Sequence, residues 1–363
     1  MKILYCSYSQ IPSDFANSIA VMKQCGALNC LSELRVILIK GNDAEKKDVF
    51  STYGVERFPL LLLPKWMLRF QEFGLKIFVL FYALLYRPDV VYSRDILLNE
   101  WLCHFHIKNI CEIHQLDQEN TDFDLLYKKL LLRVMEQKEL QAIVCISESL
   151  AKECMDFGVP KKKLTVMHSG VDLSECDDVA EAELPDFTQI HSLAVYVGSL
   201  QKGKGVEQIL RMAELTSNIN FLIVGGSPRQ IEERENLKHI PQVSHEKALA
   251  YMKKADFLLL PLTEQSYKFH SPLKLFEYLA MGKPVIASDN ADIREIIVPM
   301  ENGMLADPAW PEDFLKKMEQ VRGQPQLRKR LEENAKRRAT QFTWEARAKR
   351  IVDLVRRKND EKE

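Results

Sequence analysis

The chain has 363 residues, 46% of them hydrophobic and 28% charged, with a formal net charge of −1. That length exceeds one ordinary core and suits two domains, and the balanced charge argues against nucleic acid as the main partner, which calls for a basic excess. The start MKILYCSYSQ lacks the apolar core and cleavage site of a signal peptide, and the longest apolar run, Ile77–Tyr86, is far short of the roughly 20 residues of a spanning helix, so a cytoplasmic protein is expected. The eight cysteines form no CxxC pair and no His cluster stands at ligand spacing. Reduced thiols and no metal site follow as expectations.

In chain order, apolar β-branched runs alternate with amphipathic segments, the pattern of a mostly parallel α/β sheet. The first strands are KILYCSY, RVILIK, DVVYS, ICEIH, AIVCIS and LTVMHS, separated by helices such as Ser18–Leu31 and Glu148–Phe157. Between the second and third lies Leu60–Tyr86, read as apolar helix flanked by Lys65, Trp66, Arg69, Lys76 and Arg87. Basic and aromatic residues around such a stretch suit either an anionic membrane surface or a buried core helix. Residues 173–187, acidic and polar, break the rhythm as a linker. Alternation then restarts with SLAVYVGS, a helix, FLIVGG, a helix, a short strand near His239–Val243, a helix, FLLLPL, a helix and PVIAS. A second doubly wound domain over 188–342 is implied, after a first over 1–172. The tail 343–358 is a helix with Trp344, Ala348, Ile351, Val352 and Val355 on one stripe.

Two stretches carry chemistry. In Ser271–Asp289, Ser271 can cap a helix and Pro272 fits its first position. The N–H groups of Leu273 and Lys274 then lack helical partners, which makes an anion site. Glu277 follows one turn later, where a carboxylate can accept ribose hydroxyls, or simply face solvent. In Val195–Gly205, a strand ends at Gly198-Ser199 and Gly203-Lys204-Gly205 opens a helix. Glycines admit a close ligand and Lys204 supplies a point charge suited to phosphate. Two other motifs nearly fit. GSLQKGKG follows the P-loop spacing but has Gly205 where Ser or Thr must hold magnesium, and GKGVEQ lacks the third glycine of a dinucleotide loop.

The series VGSLQKGKG, LIVGG (which contains Gly225), ALAYMKKADFLLLPL, SPLKLFEYLAMGKPVIASD and ENGMLADP resembles the C-terminal half of retaining GT-B glycosyltransferases of the glycogen-synthase-like and mannosyltransferase-like group, family 4 in type. PSDFANSIAVMKQCGAL, DVVYSR, EIH, HSGVD and FTWEARAKRIVDLV resemble the same group's N-terminal half, linker and closing helix. The resemblance implies two Rossmann-like doubly wound α/β domains facing a central cleft, with the tail helix packed back on the first. It implies sugar transfer from a nucleoside diphosphate sugar, UDP- or GDP-linked, to a hydroxyl of a glycolipid or surface polysaccharide. The transfer would proceed with retention, without metal or cofactor, at the inner face of the cell membrane. Lys204, Gly198, Ser199, Gly203, Gly225 and the start Ser271, Pro272, Leu273, Lys274 would hold the donor, and Glu277 its ribose. His114 would hydrogen-bond the donor sugar, and the loop with Ser13, Asp14, Ala16 and Asn17 would close over phosphates and acceptor. Two departures from the family pattern stand out: Ser199 where it has arginine, and Phe269 where it has the first glutamate of a pair. Lys274, or else Lys202, would supply the missing cation. A non-catalytic sugar-nucleotide-binding subunit and a GT-B epimerase are the alternatives. Asp14 and Glu148 are further acid–base candidates, while His168, His245 and His270 have no partner legible in the sequence.

Overall fold

A computed structural model of the chain describes residues 1–13, 15–41, 48–116, 122–180, 182–189, 191–226, 230–263 and 273–360. The chain divides into two compact units, one of Met1–Gly170 with Trp344–Glu363 and one of Val171–Thr343.

The first unit runs β1 (Lys2–Ile11), α1 (Ala16–Asn29), β2 (Glu33–Lys40), α2 (Val49–Thr52), β3 (Leu60–Leu63), α3 (Arg69–Tyr86), β4 (Val90–Ser93), α4 (Ile96–His104), β5 (Asn109–Ile113), α5 (Asp122–Met135), β6 (Leu140–Cys145), α6 (Glu148–Asp156) and β7 (Leu164–Val166). The described strands make a seven-stranded sheet in the order β3-β2-β1-β4-β5-β6-β7, with every pairing parallel. Side chains alternate across a strand, so Leu4, Cys6, Ile37, Ile39 and Val91 point to one face, where Leu75, Val79 and Ala83 of α3 cover them. Asp95 caps α4 by accepting from the Leu98 N–H at 2.7 Å, and Ser147 caps α6 through Leu150.

The second unit runs α7 (Leu173–Asp177), β8 (Ser192–Val197), α8 (Val206–Leu215), β9 (Ile219–Val224), β10 (Leu237–Ile240), α9 (His245–Lys254), β11 (Phe257–Leu260), α10 (Leu273–Ala280), β12 (Val285–Ser288), α11 (Ala291–Arg294), β13 (Met304–Ala306), α12 (Pro311–Arg322) and α13 (Pro325–Ala339). Its sheet order is β10-β9-β8-β11-β12-β13 among the described residues, again parallel throughout. Val195, Leu222 and Leu258 enter one core and Ala194, Phe221 and Phe257 the opposite one. Both faces are therefore dry, which is why these strands read as continuous apolar runs. The tail forms α14 (Trp344–Asp360), in the first unit, with Trp344, Ala348, Ile351, Val352 and Val355 buried.

Three sequence expectations need correction. Leu60–Leu63 is an edge strand rather than helix, since it pairs with Val36–Ile39 of β2 before the chain turns into α3. Between β9 and β10 the described residues carry a bridge from Arg234 to Leu237 and no helix. Residues 173–187 open with α7, capped by the Asp172 carboxylate, and Cys176 and Val179 enter the core of the second unit. Asp14, Phe269, His270, Ser271 and Pro272 lie outside the described residues.

Candidate active site

In the second unit the strand order reverses between β8 and β11, and the carboxyl ends of strands at such a switch point are where doubly wound sheets bind their ligands. Gly205 starts α8 there with φ +80°, and a Cβ on it would lie 1.6 Å from the Pro261 carbonyl oxygen just past β11. Only glycine lets the helix start there. The same contact excludes the magnesium-binding Ser or Thr of a P-loop at this position. At the end of β9, a Cβ on Gly225 would lie 1.8 Å from the Gly198 carbonyl, so backbone meets backbone. Gly203 accepts the Thr263 N–H at 3.1 Å, and the Ser199 carbonyl accepts the Tyr196 hydroxyl at 2.8 Å.

These contacts position two amines. Lys204 is half-buried, and burial pulls its pKa below the ordinary lysine value. Lys274, in the first turn of α10, passes its amine over the Tyr196 ring, 4.2 Å from the centroid. Its Nζ lies 2.2 Å from where a Gly198 Cβ would stand. It is fully enclosed and has no hydrogen-bond partner among the described residues. Burial first, then the charge of Lys204, against the opposing pull of Glu277, lowers it to about 7. An enclosed ammonium without an acceptor is costly, so the site is built for an anion. Lys202 is exposed, and half-buried Leu273 opens α10. The Glu277 carboxylate is largely buried, and its Oε1 accepts from His245 Nε2 at 2.8 Å. The Tyr278 hydroxyl accepts the Val197 N–H at 2.9 Å, tying α10 to β8. Gly198, Ser199, Gly203, Lys204, Gly225, Leu273, Lys274 and Glu277 thus share one end of this sheet.

The first unit holds a separate network around Glu112, whose carboxylate is buried in the middle of a fully buried strand. Oε2 accepts from Arg347 Nη2 at 3.0 Å and from the Tyr92 hydroxyl. Oε1 faces His114 Nε2 at 2.6 Å and Arg94 Nε at 3.6 Å. Burial pushes the Glu112 carboxyl up, but Arg347, the His114 hydrogen bond and Arg94 outweigh it and hold it well below the usual carboxylate range. Arg94 Nη2 lies 3.1 Å from His114 Nδ1. A guanidinium only donates, so Nδ1 accepts and the ring proton sits on Nε2, donated to Glu112. Burial and then Arg94 push the His114 pKa down to about 4. The imidazole is therefore neutral, half-buried and held at both nitrogens. Elsewhere in the first unit, Ser13 N–H donates to the Tyr53 hydroxyl at 2.7 Å, Asn17 Nδ2 donates to Ser9 Oγ at 2.9 Å, and Ala16 and Asn17 are exposed.

Sequence reasoning did not single out Tyr196, Tyr92, Arg94, Glu112 or Arg347, and it gave His245 no partner. The one available signal was Glu112, a lone charge inside an otherwise apolar strand.

Comparison with known proteins gives two matching family models. Residues 189–338 match Glycosyl transferases group 1, and residues 33–175 match Glycosyltransferase Family 4. An uncharacterised glycosyltransferase of Methanocaldococcus jannaschii is 28% identical over 211 residues, 56% of this chain and 56% of that protein. The chain's match thus spans little more than half the length of that relative. Among solved structures, sucrose-phosphate synthase of Thermosynechococcus elongatus superposes with a TM-score of 0.75 at 18% identity, covering 98% of both chains. Anabaena HepE in complex with UDP-glucose gives 0.73 at 13%, covering 98% of this chain and 99% of its own. With a matching model on each unit and two parallel Rossmann-like sheets, the chain belongs to the GT-B glycosyltransferases of family 4 type.

Proposed function

We propose that the chain transfers a sugar from a UDP- or GDP-sugar to a hydroxyl of a glycolipid or surface polysaccharide, with retention and without a metal ion. The observation that carries this reading is the convergence of Lys204 and an enclosed Lys274, without a hydrogen-bond partner among the described residues, on the glycine turns at the ends of β8 and β9. Two cations at backbone that a ligand can approach closely suit a diphosphate, whose charge grows as the glycosyl bond breaks. Glu277, one turn along α10, would accept ribose hydroxyls. His114, neutral and held by Arg94 and Glu112, contacts the donor sugar through its half-buried ring rather than serving as a base. Ser13, with Ala16 and Asn17 at the start of α1, would contact phosphates and acceptor. The similarly folded HepE was solved in complex with a nucleotide sugar, UDP-glucose, which agrees with a donor of this class. The test is a thermal-shift screen of the whole chain against UDP-, GDP- and CMP-sugars with EDTA present. At a hundredfold excess over Kd, one donor class should stabilise by about 2.7 kcal/mol. Lys204→Ala should remove that gain while melting normally on its own. No shift with any donor, or a shift only with added magnesium, would overturn the reading.

The acceptor side rests on α3. Its outward positions Phe73, Ile77, Phe81, Leu84 and Leu85 are exposed and all apolar, and Trp66 is exposed just before them. Phe73 meets Trp101 edge-on at 5.6 Å, extending the face to α4. Lys76, expected among the basic flank, is instead buried. No helix among the described residues is long and apolar enough to cross a membrane. We infer that this face lies against an anionic membrane, where aromatic side chains suit the headgroup boundary. The protein should sediment with phosphatidylglycerol vesicles, and Phe81→Glu with Leu85→Glu should leave it in the supernatant. Equal supernatant recovery with and without vesicles would remove the membrane from the reading.

A further inference from the structure

His245 opens α9, directly after the capping Ser244 whose hydroxyl accepts the Lys247 N–H. Its Nε2 lies 2.8 Å from Glu277 Oε1, and its Nδ1 lies 3.9 Å from Glu175 Oε2 on α7. All three side chains are between one-sixth and one-third exposed, so the array borders the site rather than the core. An ionised carboxylate only accepts, so Nε2 carries the hydrogen and donates it to Glu277. Glu277 comes from α10 and has three rotatable bonds between its backbone and its carboxylate. Among the described residues the hydrogen bond to that carboxylate comes from α9 and not from α10. A donor fixed on a different helix holds Oε1 and leaves Oε2 presented. Glu175 faces the other side of the ring, 3.9 Å away and beyond hydrogen-bond distance.

We propose that His245 is a positioning residue that sets the Glu277 carboxylate for the ribose hydroxyls of the nucleotide, so that ribose recognition depends on a histidine that does not itself touch the sugar. The inference rests on the reading of Glu277 as the ribose carboxylate given above. Hydrogen bonds to a carboxylate that is aimed beforehand need no reordering on binding. Losing the aim should therefore weaken the hydroxyl contacts and leave the diphosphate contacts of Lys204 and Lys274 alone.

The experiment measures affinities of the full chain for UDP, GDP, their 2′,3′-dideoxy counterparts and inorganic pyrophosphate, in wild type, His245→Ala, His245→Gln and Glu277→Ala. For whichever nucleotide binds, wild type should prefer the ribose form over the dideoxy form. His245→Ala should shrink that preference by about tenfold, the scale of one hydrogen bond to a charged group, with pyrophosphate affinity unchanged. His245→Gln, which keeps an N–H donor near the same place, should restore most of the preference. If His245→Ala keeps the full preference while Glu277→Ala loses it, the positioning role is wrong and the ribose carboxylate stands. If Glu277→Ala keeps it too, the ribose reading fails and this inference falls with it. Equal losses for pyrophosphate and both nucleotide forms in His245→Ala and His245→Gln would mark a merely structural histidine and also overturn the proposal.

Discussion

Arg347→Ala is expected to lower the stability of the first unit by about 3–5 kcal/mol, the cost of removing one member of a buried ion pair. The guanidinium is 6% exposed and binds three things at once: Glu112 Oε2, Gln24 Oε1 and the His168 carbonyl. Removing it leaves the Glu112 carboxylate enclosed with Arg94 as its remaining charged partner beside the neutral His114, and takes a donor from Gln24 Oε1 and from the His168 carbonyl. For a unit of this size the melting midpoint should fall by roughly 10 °C, read by circular dichroism. Acid should act through the same network. Glu112 ionises below its unfolded range, so its contribution is present above an unfolded pKa near 4.5 and fades as pH falls below it. His114 also resists protonation down to about 4, whereas the unfolded chain takes up that proton near 6.5. Stability should therefore already decline between about pH 6.5 and 4. A loss under 1 kcal/mol in Arg347→Ala would mean that Arg94 alone suffices to hold Glu112.

The network was invisible in the sequence because its partners are far apart along it: 235 residues separate Arg347 from Glu112 and 323 separate it from Gln24. The arginine sits on a helix whose apolar stripe was legible, yet its own burial was not, since a charged residue in an amphipathic helix usually faces solvent. The fold was easier. Strands of a parallel sheet covered on both faces must be continuously apolar, so AIVC, VYV, FLIV and FLLL announced themselves. Short edge strands such as Leu60–Leu63 and Met304–Ala306 did not, because three or four residues on one edge carry too little pattern to separate from a helix or loop. The glycine turn at Gly198 and the lysine at 204 were readable from local spacing. The pairing of His245 with Glu277 was not, because nothing local encodes a contact across 32 residues. Lys274 was legible as a cation at a helix start, and only the structure shows it sealed over Tyr196.

That seal gives the last expected result: donor affinity should fall as pH rises above about 7, through Lys274. Buried, with Lys204 beside it and no acceptor among the described residues, the Lys274 amine has a pKa lowered to about 7, so near neutrality it is only partly charged in the empty site. A diphosphate supplies the missing acceptor and the compensating charge, which favours the ammonium again. Donor binding above pH 7 must then take up a proton, and affinity drops by up to tenfold per pH unit until the donor-bound amine also titrates. The empty protein should respond in the opposite sense. The unfolded lysine holds its proton to about 10.5, the folded one releases it near 7, so this group adds stability as pH climbs between those values. The two trends cross, and no ordinary surface lysine produces that pattern. At pH 7, Lys274→Ala should cost about 1.5–3 kcal/mol of donor binding, as for a hydrogen bond to a charged group, and should flatten the pH slope. Lys202→Ala, at an exposed loop position, should change neither. Ser199→Arg in the Lys274→Ala background should recover part of the affinity with no slope, since a guanidinium stays charged throughout. Calorimetry at pH 8 in buffers of different ionisation enthalpy reads the proton directly. If Lys274→Ala takes up as much of a proton as the wild type does, another group titrates and Lys274 is not the second cation of the site.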